Sequence, residues 1–410
     1  MGTQNPGRTS PQRHRYSDAL LKESSQARRN QCTCGRAPVP VRGAPGRSGH
    51  RCVATAPRVA PLDPEGEAPG PGGRPGSPAA ASLRAMTWLV TGGAGYIGAH
   101  VVTAMRRAGS SVVVLDDLST GDPARIPGVP LVRGSVLDAE VVAGALREHG
   151  VRGVVHLAAK KQVEESVRRP LHYYRENVEG LRVLLECAVD ARVDRFVFSS
   201  SAAVYGDVDV DLVTEDTVCR PVNPYGTTKL IGERMVADVG AATGLRWVSL
   251  RYFNVAGTAA PELTDRGVSN LVPMVFQRLA AGEAPQIFGE DHPTPDGTCL
   301  RDFIHVADVA SAHVAAAQAL ADGSVDALVA NLGRGEGVSV REMVETIRQV
   351  TGTAGEPWSE PVVTARRAGD PARVVASADL VAQQLGWTAR FDLQDMVRSA
   401  WDGWTARRRD

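Results

Sequence analysis

Residues 89–100 are Leu89-Val90-Thr91-Gly92-Gly93-Ala94-Gly95-Tyr96-Ile97-Gly98-Ala99-His100, and this stretch decides the fold of the chain. It predicts a short apolar strand, a glycine turn and the first turn of a helix. Gly92, Gly95 and Gly98 stand three residues apart. Glycine at such positions permits a tight turn, close approach of a pyrophosphate and helix–strand packing. The free N–H groups at the start of the helix are suited to bind those phosphates.

A second apolar segment, residues 111–115, supports a dinucleotide site. It predicts a second strand that ends at Asp116, eighteen residues after Gly98. An acidic side chain at this position binds ribose hydroxyls in dinucleotide-binding folds. It would repel the 2′-phosphate of NADP, so we expect NAD as the cofactor.

The composition changes sharply near Met86. Residues 1–85 carry thirteen Arg and Lys against five Asp and Glu, a net charge of +8, and because the 410-residue chain sums to zero the remainder carries −8. The first segment contains no Phe, Trp or Ile and is rich in Pro and Gly. Such a segment buries too little apolar surface to offset its ordering entropy, so we expect a disordered basic extension over 1–85. We interpret it as the product of an upstream start, with Met86 as the working initiator.

Several functional classes are disfavoured by composition. The acidic body offers no basic surface for nucleic acid, and no run of 18 apolar residues predicts a membrane-spanning helix. Three dispersed cysteines indicate a reducing compartment, so we expect a cytoplasmic protein; they are Cys187, Cys219 and Cys299. A further group in the extension has spacing that fits no standard zinc site, so we expect no metal; it comprises Cys32, Cys34, His50 and Cys52.

Strands and helices alternate downstream of Asp116. The pattern predicts strands at 131–133, 153–157, 195–199 and 246–250, and helices at 138–149, 170–190 and 223–239. This alternation is typical of an α/β fold with a doubly wound parallel (Rossmann) sheet. Beyond Asn254 the alternation breaks, which predicts a smaller mixed α/β lobe. We expect an NAD-binding domain over 86–260, to which 300–335 returns with a helix at 302–320 and a strand at 327–332, and a substrate lobe over 261–299 and 336–410.

Tyr225-x-x-x-Lys229 is the second informative motif. Residues i and i+4 share one face of a helix, so the ammonium can lie beside the phenol. A nearby cation favours the phenolate, which predicts a lowered pKa and a usable base near neutrality. The chain has seven Tyr and only four Lys in 410 residues, so chance placement gives far fewer than one such pair. Ser201, at the end of the fifth predicted strand, is placed to hydrogen-bond a substrate hydroxyl.

From about residue 87 to 405, the chain resembles the UDP-glucose 4-epimerase family of extended short-chain dehydrogenases. The glycine and Y-x-x-x-K motifs are shared by all extended short-chain dehydrogenases, whereas two later segments are narrower and point to the epimerases. The segments that carry the resemblance are Thr91-Gly92-Gly93-Ala94-Gly95-Tyr96-Ile97-Gly98, Ser199-Ser200-Ser201-Ala202-Ala203-Val204-Tyr205-Gly206, Pro224-Tyr225-Gly226-Thr227-Thr228-Lys229, Leu250-Arg251-Tyr252-Phe253-Asn254, Pro293-Thr294-Pro295-Asp296-Gly297-Thr298 and Arg301-Asp302-Phe303-Ile304-His305-Val306.

The resemblance implies the contacts of both ligands. For NAD they are Gly92, Gly95, Tyr96, Ile97, Gly98, Asp116, Asp117, Leu118, Ser135, Val136, Leu157, Lys161, Asn177, Ser201, Tyr225, Lys229 and Phe253. For the UDP-sugar they are Ser201, Tyr225, Asn254, Asn270, Leu271, Gln286, Ile287, Phe288, Arg301, Arg367, Asp370 and Val374. The residue types agree with these roles, since arginines bind a diphosphate, Phe288 can pack against uracil, and Asp370 can accept from a ribose hydroxyl.

Four positions refine the comparison with the family. Ser135 stands where the family usually has an Asp near the adenine, Ala203 replaces a common hydroxyl residue, and Glu164 replaces a small residue. Val374 stands where a bulky Tyr is associated with restriction to unmodified hexoses. The smaller Val predicts room for N-acetylated UDP-hexosamines.

The implied reaction interconverts UDP-galactose and UDP-glucose through a 4-keto sugar with tightly held NAD, and Tyr225, Lys229 and Ser201 are the expected catalytic residues. Helices around 170–190 and 223–239 resemble those of a four-helix dimer contact, so we expect a homodimer. Two alternatives stay open. One is a 4,6-dehydratase or decarboxylase of the same fold, which Ala202-Ala203 argues against because dehydratases typically place an Asp-Glu pair there. The other is a catalytically silent NAD(H)-binding regulator.

Overall fold

A parallel sheet of seven strands forms the centre of the molecule. The computed structural model describes residues 86–267, 270–352, 360–367 and 370–406. The strands are β1 Thr87–Thr91, β2 Ser111–Asp116, β3 Leu131–Arg133, β4 Val151–His156, β5 Arg195–Ser201, β6 Arg246–Tyr252, β7 Asn254–Ala256, β8 Gln286–Phe288, β9 Leu300–His305, β10 Ala327–Leu332, β11 Gly337–Ser339, β12 Val362–Thr364 and β13 Arg373–Val374. The seven lie in the order β10-β6-β5-β4-β1-β2-β3, so the strand order reverses between β1 and β4.

Helices cover both faces of this sheet, as the alternating pattern predicts. They are α1 Tyr96–Arg107, α2 Ala139–Glu148, α3 Val163–Arg168, α4 Pro170–Tyr173, α5 Gly180–Asp190, α6 Pro224–Thr243, α7 Leu271–Ala280, α8 Val306–Asp322, α9 Val340–Thr351, α10 Asp379–Leu385 and α11 Leu393–Ala406. A π-helical turn, Tyr174–Glu179, joins α4 to α5, so the helical segment predicted over 170–190 is present with one irregular turn. The predicted doubly wound α/β fold is confirmed.

Two apolar layers bury the central sheet because its strands alternate their side chains. On β1, Trp88 and Val90 join the layer that includes α1 and α8, whereas Leu89 joins the layer that includes α2, α5 and α6. On β5, Val197 and Phe198 divide in the same way. Strands buried on both faces are apolar nearly throughout, as expected for a parallel sheet between helices.

A second, four-stranded sheet lies beyond the central one. Its middle strand β9 pairs with β7 and β13 in parallel and with β11 antiparallel. A two-stranded pair, β8 with β12, accompanies it. The sequence pattern predicted a helix from 302 to 320, but this boundary is wrong because Leu300–His305 is a strand and the helix begins at Val306. Strand β10 does return to the main sheet as predicted.

The strand β9 passes directly into α8 without a connecting loop. His305 ends the strand and caps the helix, and its side chain accepts a hydrogen bond from the Ala307 N–H at 2.9 Å. Helix α8 packs against α1 and β5 of the central unit. The smaller sheet is therefore tied to the central one by continuous backbone.

No helix among the described residues is long and apolar enough to cross a bilayer. The predicted disordered extension 1–85, with its cysteines and His50, lies outside the described residues.

Candidate active site

The glycine turn after β1 has the geometry that the motif predicts. Gly92 has a φ of +70°, and a Cβ there would lie 2.7 Å from the Ala158 nitrogen. A Cβ on Gly98 would lie 2.1 Å from the Gly92 carbonyl oxygen, so only glycine allows this close contact between turn and helix. Gly95 caps α1 without any side-chain hydrogen bond. The first N–H groups of α1 are therefore left for an anion, which fits a pyrophosphate.

Asp116 lies at the carboxyl end of β2, one strand away from the glycine turn. Its two carboxylate oxygens each accept a backbone N–H at 2.9 Å, one from Ala94 and one from Leu118. Burial raises the pKa of this carboxyl, and the two N–H donors oppose the shift. The hydrogen bonds fix the side chain against the turn, at the place expected for the ribose of a dinucleotide.

A cavity of about 660 Å³ lies over the carboxyl ends of β1, β2 and β4. Most of the predicted NAD contacts line it, namely Gly92, Gly95, Tyr96, Ile97, Gly98, Asp116, Asp117, Ser135, Val136, Leu157, Lys161, Tyr225 and Lys229. This is where the strand order reverses and where ligands bind in such sheets. The volume, the glycine cradle and the acid at the strand end together fit a dinucleotide.

Four predicted NAD contacts do not line this cavity. Leu118 packs its side chain against the apolar core and contributes its N–H to Asp116. Ser201 and Phe253 line a neighbouring cavity instead. Asn177 is buried in the π-helical turn, where its amide bonds both the N–H and the carbonyl of Lys160 and donates to Thr228 Oγ1 at 3.0 Å. It therefore fixes the loop after β4 to helix α6.

Tyr225 and Lys229 lie one turn apart on α6 and are both buried, 8% and 4% exposed. The Lys229 ammonium donates to the Ser199 carbonyl at 2.7 Å. Burial lowers the pKa of Lys229 to about 8, and Glu233 opposes the shift. The expected lowering of the Tyr225 pKa is not found: burial raises it, and only a hydrogen bond with Ser201 acts in the other direction. Desolvation of the phenol is the largest cause of the shift, and Lys229 donates its hydrogen bond to the strand and not to Tyr225.

A second cavity of about 450 Å³ adjoins the first. Its lining contains nearly all predicted substrate contacts, namely Ser201, Tyr225, Asn254, Asn270, Leu271, Gln286, Phe288, Arg301, Arg367, Asp370 and Val374. Ile287 is the exception, because it lies between Gln286 and Phe288 on β8 and its side chain is fully buried in the core under α7 and α9. Its side chain therefore does not line the cavity, and the prediction of Ile287 as a substrate contact is left to its backbone.

Charged and aromatic groups meet at the far end of the second cavity. Arg301 on β9 forms an ion pair with Asp370, and its Nη1 donates to the Leu300 carbonyl at 2.8 Å. The Arg367 guanidinium lies 3.8 Å from the centre of the Phe288 ring. A planar ring surface, two guanidinium groups and a carboxylate together can bind a base, a diphosphate and a ribose.

Five side chains line both cavities and form a common wall: Tyr96, Ile97, Lys161, Tyr225 and Tyr252. Tyr225 therefore faces a dinucleotide-sized space on one side and a nucleotide-sugar-sized space on the other. The departures noted in the sequence leave this wall intact. Ser135 lines the first cavity, Ala203 lines the second, and Glu164 is exposed on α3.

Two groups near the site were not predicted from the sequence. Glu233, on the same face of α6 as Lys229, forms a buried ion pair with Arg251 of β6. Its spacing of four residues from Lys229 was the available signal. Cys299 lines the second cavity, with its sulfur 3.2 Å from His292 Nε2. No signal in the sequence connects Cys299 with His292.

The comparisons with known proteins agree with this geometry. Residues 88–333 match the model of the NAD dependent epimerase/dehydratase family. A protein of Azospirillum brasilense named UDP-glucose 4-epimerase is 46% identical over 319 residues, which cover 76% of this chain and 90% of that protein.

Solved structures of epimerases share the fold, and two of them show the degree of similarity. The UDP-glucose-4-epimerase from Stenotrophomonas maltophila with bound NAD and formylated UDP-arabinopyranose is 40% identical, with a TM-score of 0.75 over 79% of this chain and 99% of that one. The UDP-Glc/GlcNAc 4-epimerase from Campylobacter jejuni is 33% identical, with a TM-score of 0.69 over 78% and 99%.

Proposed function

The chain belongs to the NAD dependent epimerase/dehydratase family, and we propose that it is an NAD-dependent isomerase that interconverts UDP-galactose and UDP-glucose. The observation that carries this proposal is the position of Tyr225 in the wall between the two cavities. A proton donor and acceptor there can act on a sugar hydroxyl while the sugar lies against a nicotinamide. Relatives at 46%, 45% and 43% identity are named UDP-glucose 4-epimerase.

The cofactor site fits NAD. The N–H groups at the start of α1 would hold the pyrophosphate, and Asp116 would hold the adenosine ribose. When bound, NAD would supply reversible hydride transfer at C4 of the sugar, and its oxidised ring would add a positive charge to the cavity. Since a cation favours the phenolate, the raised pKa of Tyr225 is then opposed from two sides, by that charge and by Lys229.

The protein side of the reaction is proton transfer and positioning. Tyr225 takes the proton of the sugar 4-hydroxyl and returns it at the end of the cycle. Ser201 hydrogen-bonds the same hydroxyl and orients it towards the phenol. Between the removal and the return of the hydride, the 4-keto sugar rotates within the second cavity. Either face of its C4 carbonyl can therefore be reduced.

The nucleotide part of the substrate binds at the far end of that cavity. We assign the diphosphate to Arg301 and Arg367, the uracil to Phe288 and the ribose to Asp370. Val374 lies beside the sugar position and is small, so we propose that the cavity admits N-acetylated UDP-hexosamines as well. The Campylobacter jejuni neighbour is named for both glucose and N-acetylglucosamine substrates.

The assembly that we propose is a homodimer. The helical run 170–190 and helix α6 would form its contact, and apolar side chains are exposed where that run begins: Leu171 is 81% and Val167 61% exposed. Exposed apolar clusters mark interaction surfaces. The division into an NAD-binding domain over 86–260 with 300–335 and a substrate lobe over 261–299 and 336–410 stays a prediction. The cytoplasmic location also stays a prediction.

The alternative reactions are less well supported by the site. A 4,6-dehydratase needs a further acid–base pair after Ser201, where this chain has Ala202 and Ala203. A silent NAD(H)-binding regulator would have no need for Tyr225, Lys229 and Ser201 around one wall.

The test is incubation of the purified protein with UDP-galactose without added NAD. We expect UDP-glucose to form, because the cofactor is retained. Tyr225→Phe should lower kcat at least ~10²-fold, the range of general acid–base catalysis, while NAD stays bound. Tyr173→Phe is the matched control: it removes a phenol hydroxyl that donates to the Gln162 carbonyl at 2.7 Å and to Glu165, on a side chain that lines neither cavity, and should leave kcat near the wild-type value. Near-normal turnover by Tyr225→Phe would refute the assignment.

A further inference from the structure

The end of β5 and helix α6 contact each other residue by residue. Ser201 interacts with Tyr225, and the carbonyl of Ser199 accepts from Lys229 at 2.7 Å. Between them, the hydroxyl of Ser200 donates to the Glu233 carboxylate. Three consecutive serines therefore bind three helix residues spaced by about one turn. Two of these helix residues, Tyr225 and Lys229, have a role in the proposed chemistry, whereas Glu233 does not.

Glu233 is held by more groups than a helix–strand contact needs. It is 5% exposed, and Arg251 of β6 donates to both its oxygens, from Nε at 2.8 Å and from Nη2 at 2.6 Å. Arg251 Nη1 donates to the Tyr205 hydroxyl at 2.8 Å, and that hydroxyl donates to Asn331 at 2.7 Å. A buried ion pair of this kind is weak evidence for stability, since its desolvation cost offsets much of the attraction. Its location one turn from Lys229 points to another use.

We propose that Glu233 is a positioning residue for the reaction, which keeps the Lys229 ammonium charged and directed at the Ser199 carbonyl beside Tyr225. This inference rests on the proposed role of Lys229. Hydrogen bonds from Arg251 and Ser200 hold the carboxylate in place, and the carboxylate in turn offsets the burial of the ammonium. Lys229 then stays available to favour the phenolate of Tyr225.

The charges around Lys229 support this direction. Burial lowers its pKa to about 8, and Glu233 raises it. From β4, His156 faces the ammonium and is itself kept neutral, because burial lowers its pKa to about 3. From β6, Tyr252 lies near Tyr225 with a pKa raised by burial, and Arg251 is neutralised by Glu233. Glu233 is thus the anion that acts on Lys229 from its own helix, and removing it would also leave Arg251 uncompensated.

The scarcity of lysine makes a direct test practical. The chain contains four Lys, so the full-length holoenzyme labelled with ¹³C at lysine Cε gives a simple NMR spectrum, and Lys229→Arg assigns the signal. In Glu233→Gln we expect the titration midpoint of Lys229 to fall by roughly 1 pH unit or more relative to wild type. The alkaline limb of the kcat profile should move to lower pH by the same amount. Glu233→Asp, which keeps the charge, should return both towards wild type.

Tyr205→Phe is the structural control, because it removes a hydrogen bond from the same network and no charge. The melting temperature of Tyr205→Phe should fall, whereas the titration midpoint of Lys229 and the alkaline limb of the kcat–pH profile should stay at their wild-type pH. If Glu233→Gln does not fold, Glu233→Gln/Arg251→Met removes both charges together, and the midpoint should still fall. A Lys229 midpoint unchanged in the folded variant overturns the inference. Absence of epimerase activity in the wild type would instead refute the proposed function, since the NMR titration needs no turnover.

Discussion

Val374 is the side chain that we propose to set the substrate range. It lies on β13 opposite Arg301 in the parallel ladder, lines the second cavity and packs with Phe253. We expect the wild type to epimerise both UDP-glucose and UDP-N-acetylglucosamine. Val374→Tyr should lose the acetylated substrate at least tenfold in kcat/KM through steric overlap, while UDP-glucose changes little.

The check is a comparison of kcat/KM for both substrates in wild type, Val374→Tyr and Val374→Ala. The alanine variant is the control, since a smaller residue should keep the acetylated substrate. A wild type that ignores UDP-N-acetylglucosamine, or a tyrosine variant that still accepts it equally, contradicts this role of Val374.

Among individual residues, those that belong to a motif or a regular spacing could be predicted from the sequence. Those defined by contacts between distant segments could not. Tyr225 and Lys229 follow from helical spacing alone. Ile287 was assigned with its neighbours, although alternation along a strand places it on the opposite face from Gln286 and Phe288. The pairing of Glu233 with Arg251 joins a helix to the next strand, and no local pattern encodes which buried arginine faces which glutamate.

At the level of single elements, the start of helix α6 positions the phenol of Tyr225, which we propose as the acid–base. Asn223 caps this helix, and its side chain accepts the Gly226 N–H at 2.8 Å, which places Tyr225 in the first turn. Asn223→Ala should cost about 1 kcal/mol of stability and lower kcat several-fold, because the first turn loses its fixed geometry. Thermal unfolding and steady-state kinetics measure the two effects.

Two variants separate the cap from other causes. Asn223→Ser retains a capping oxygen and should restore most of both losses. Asp138→Ala removes the cap of α2, where the carboxylate accepts from Glu140 and Val141, and should cost similar stability with kcat unchanged. Equal loss of kcat in Asp138→Ala would show that general destabilisation is responsible.

Element boundaries were predictable only where local signals define them. The strand at 131–133 and the helix starting after Asp138 match because capping and periodicity are local. The helix predicted from 302 begins at Val306 instead, because Leu300–His305 gains three strand partners that lie far away in sequence. Long-range pairing overrides the local pattern there.

At the scale of the whole molecule, buried histidines make the fold sensitive to acid. Burial lowers the pKa of four of them, to about 3 for one and about 4 for three: His156, and His100, His305 and His313. In the unfolded chain they take up protons below about 6.5, whereas the folded state does not until about pH 4, so stability falls as pH drops through this window. We expect the free energy of unfolding to fall by roughly 4 kcal/mol between pH 7.5 and 5.5.

Three carboxyls of the described residues act in the opposite direction, because burial raises the pKa of Asp116, Asp302 and Asp308. Burial raises the pKa of Asp302 to about 6, so its protonation adds stability as the pH falls from 6 towards 3.8. Denaturant unfolding at several pH values measures the balance. His156→Gln keeps a partner for the Thr91 hydroxyl, which lies 2.7 Å from the imidazole, and should reduce the acid loss by about 1 kcal/mol. A stability that is flat between pH 7.5 and 5.5 would contradict this account.

The proposed dimer gives a second prediction at this scale. Leu171→Glu places a charge in the exposed apolar cluster and should convert the dimer to a monomer at micromolar concentration, as measured by light scattering. Val362→Glu is the control: it changes an apolar side chain that is 49% exposed on β12, outside the proposed contact, and should leave the mass unchanged. A monomeric wild type would disprove the dimer.

The continuous passage from β9 to α8 has a consequence for what the protein can recognise. Strand β9 carries Arg301, and α8 packs along α1, whose first turn faces the cofactor cavity. The strand that carries Arg301 is therefore joined by backbone to the helix that packs along α1. In the proposed function the sugar of the ligand lies at Tyr225 and its base lies at Phe288, and both residues line the second cavity. A hexose 1-phosphate has no base for Phe288 and no second phosphate for Arg301 and Arg367, so we expect it to be a poor substrate.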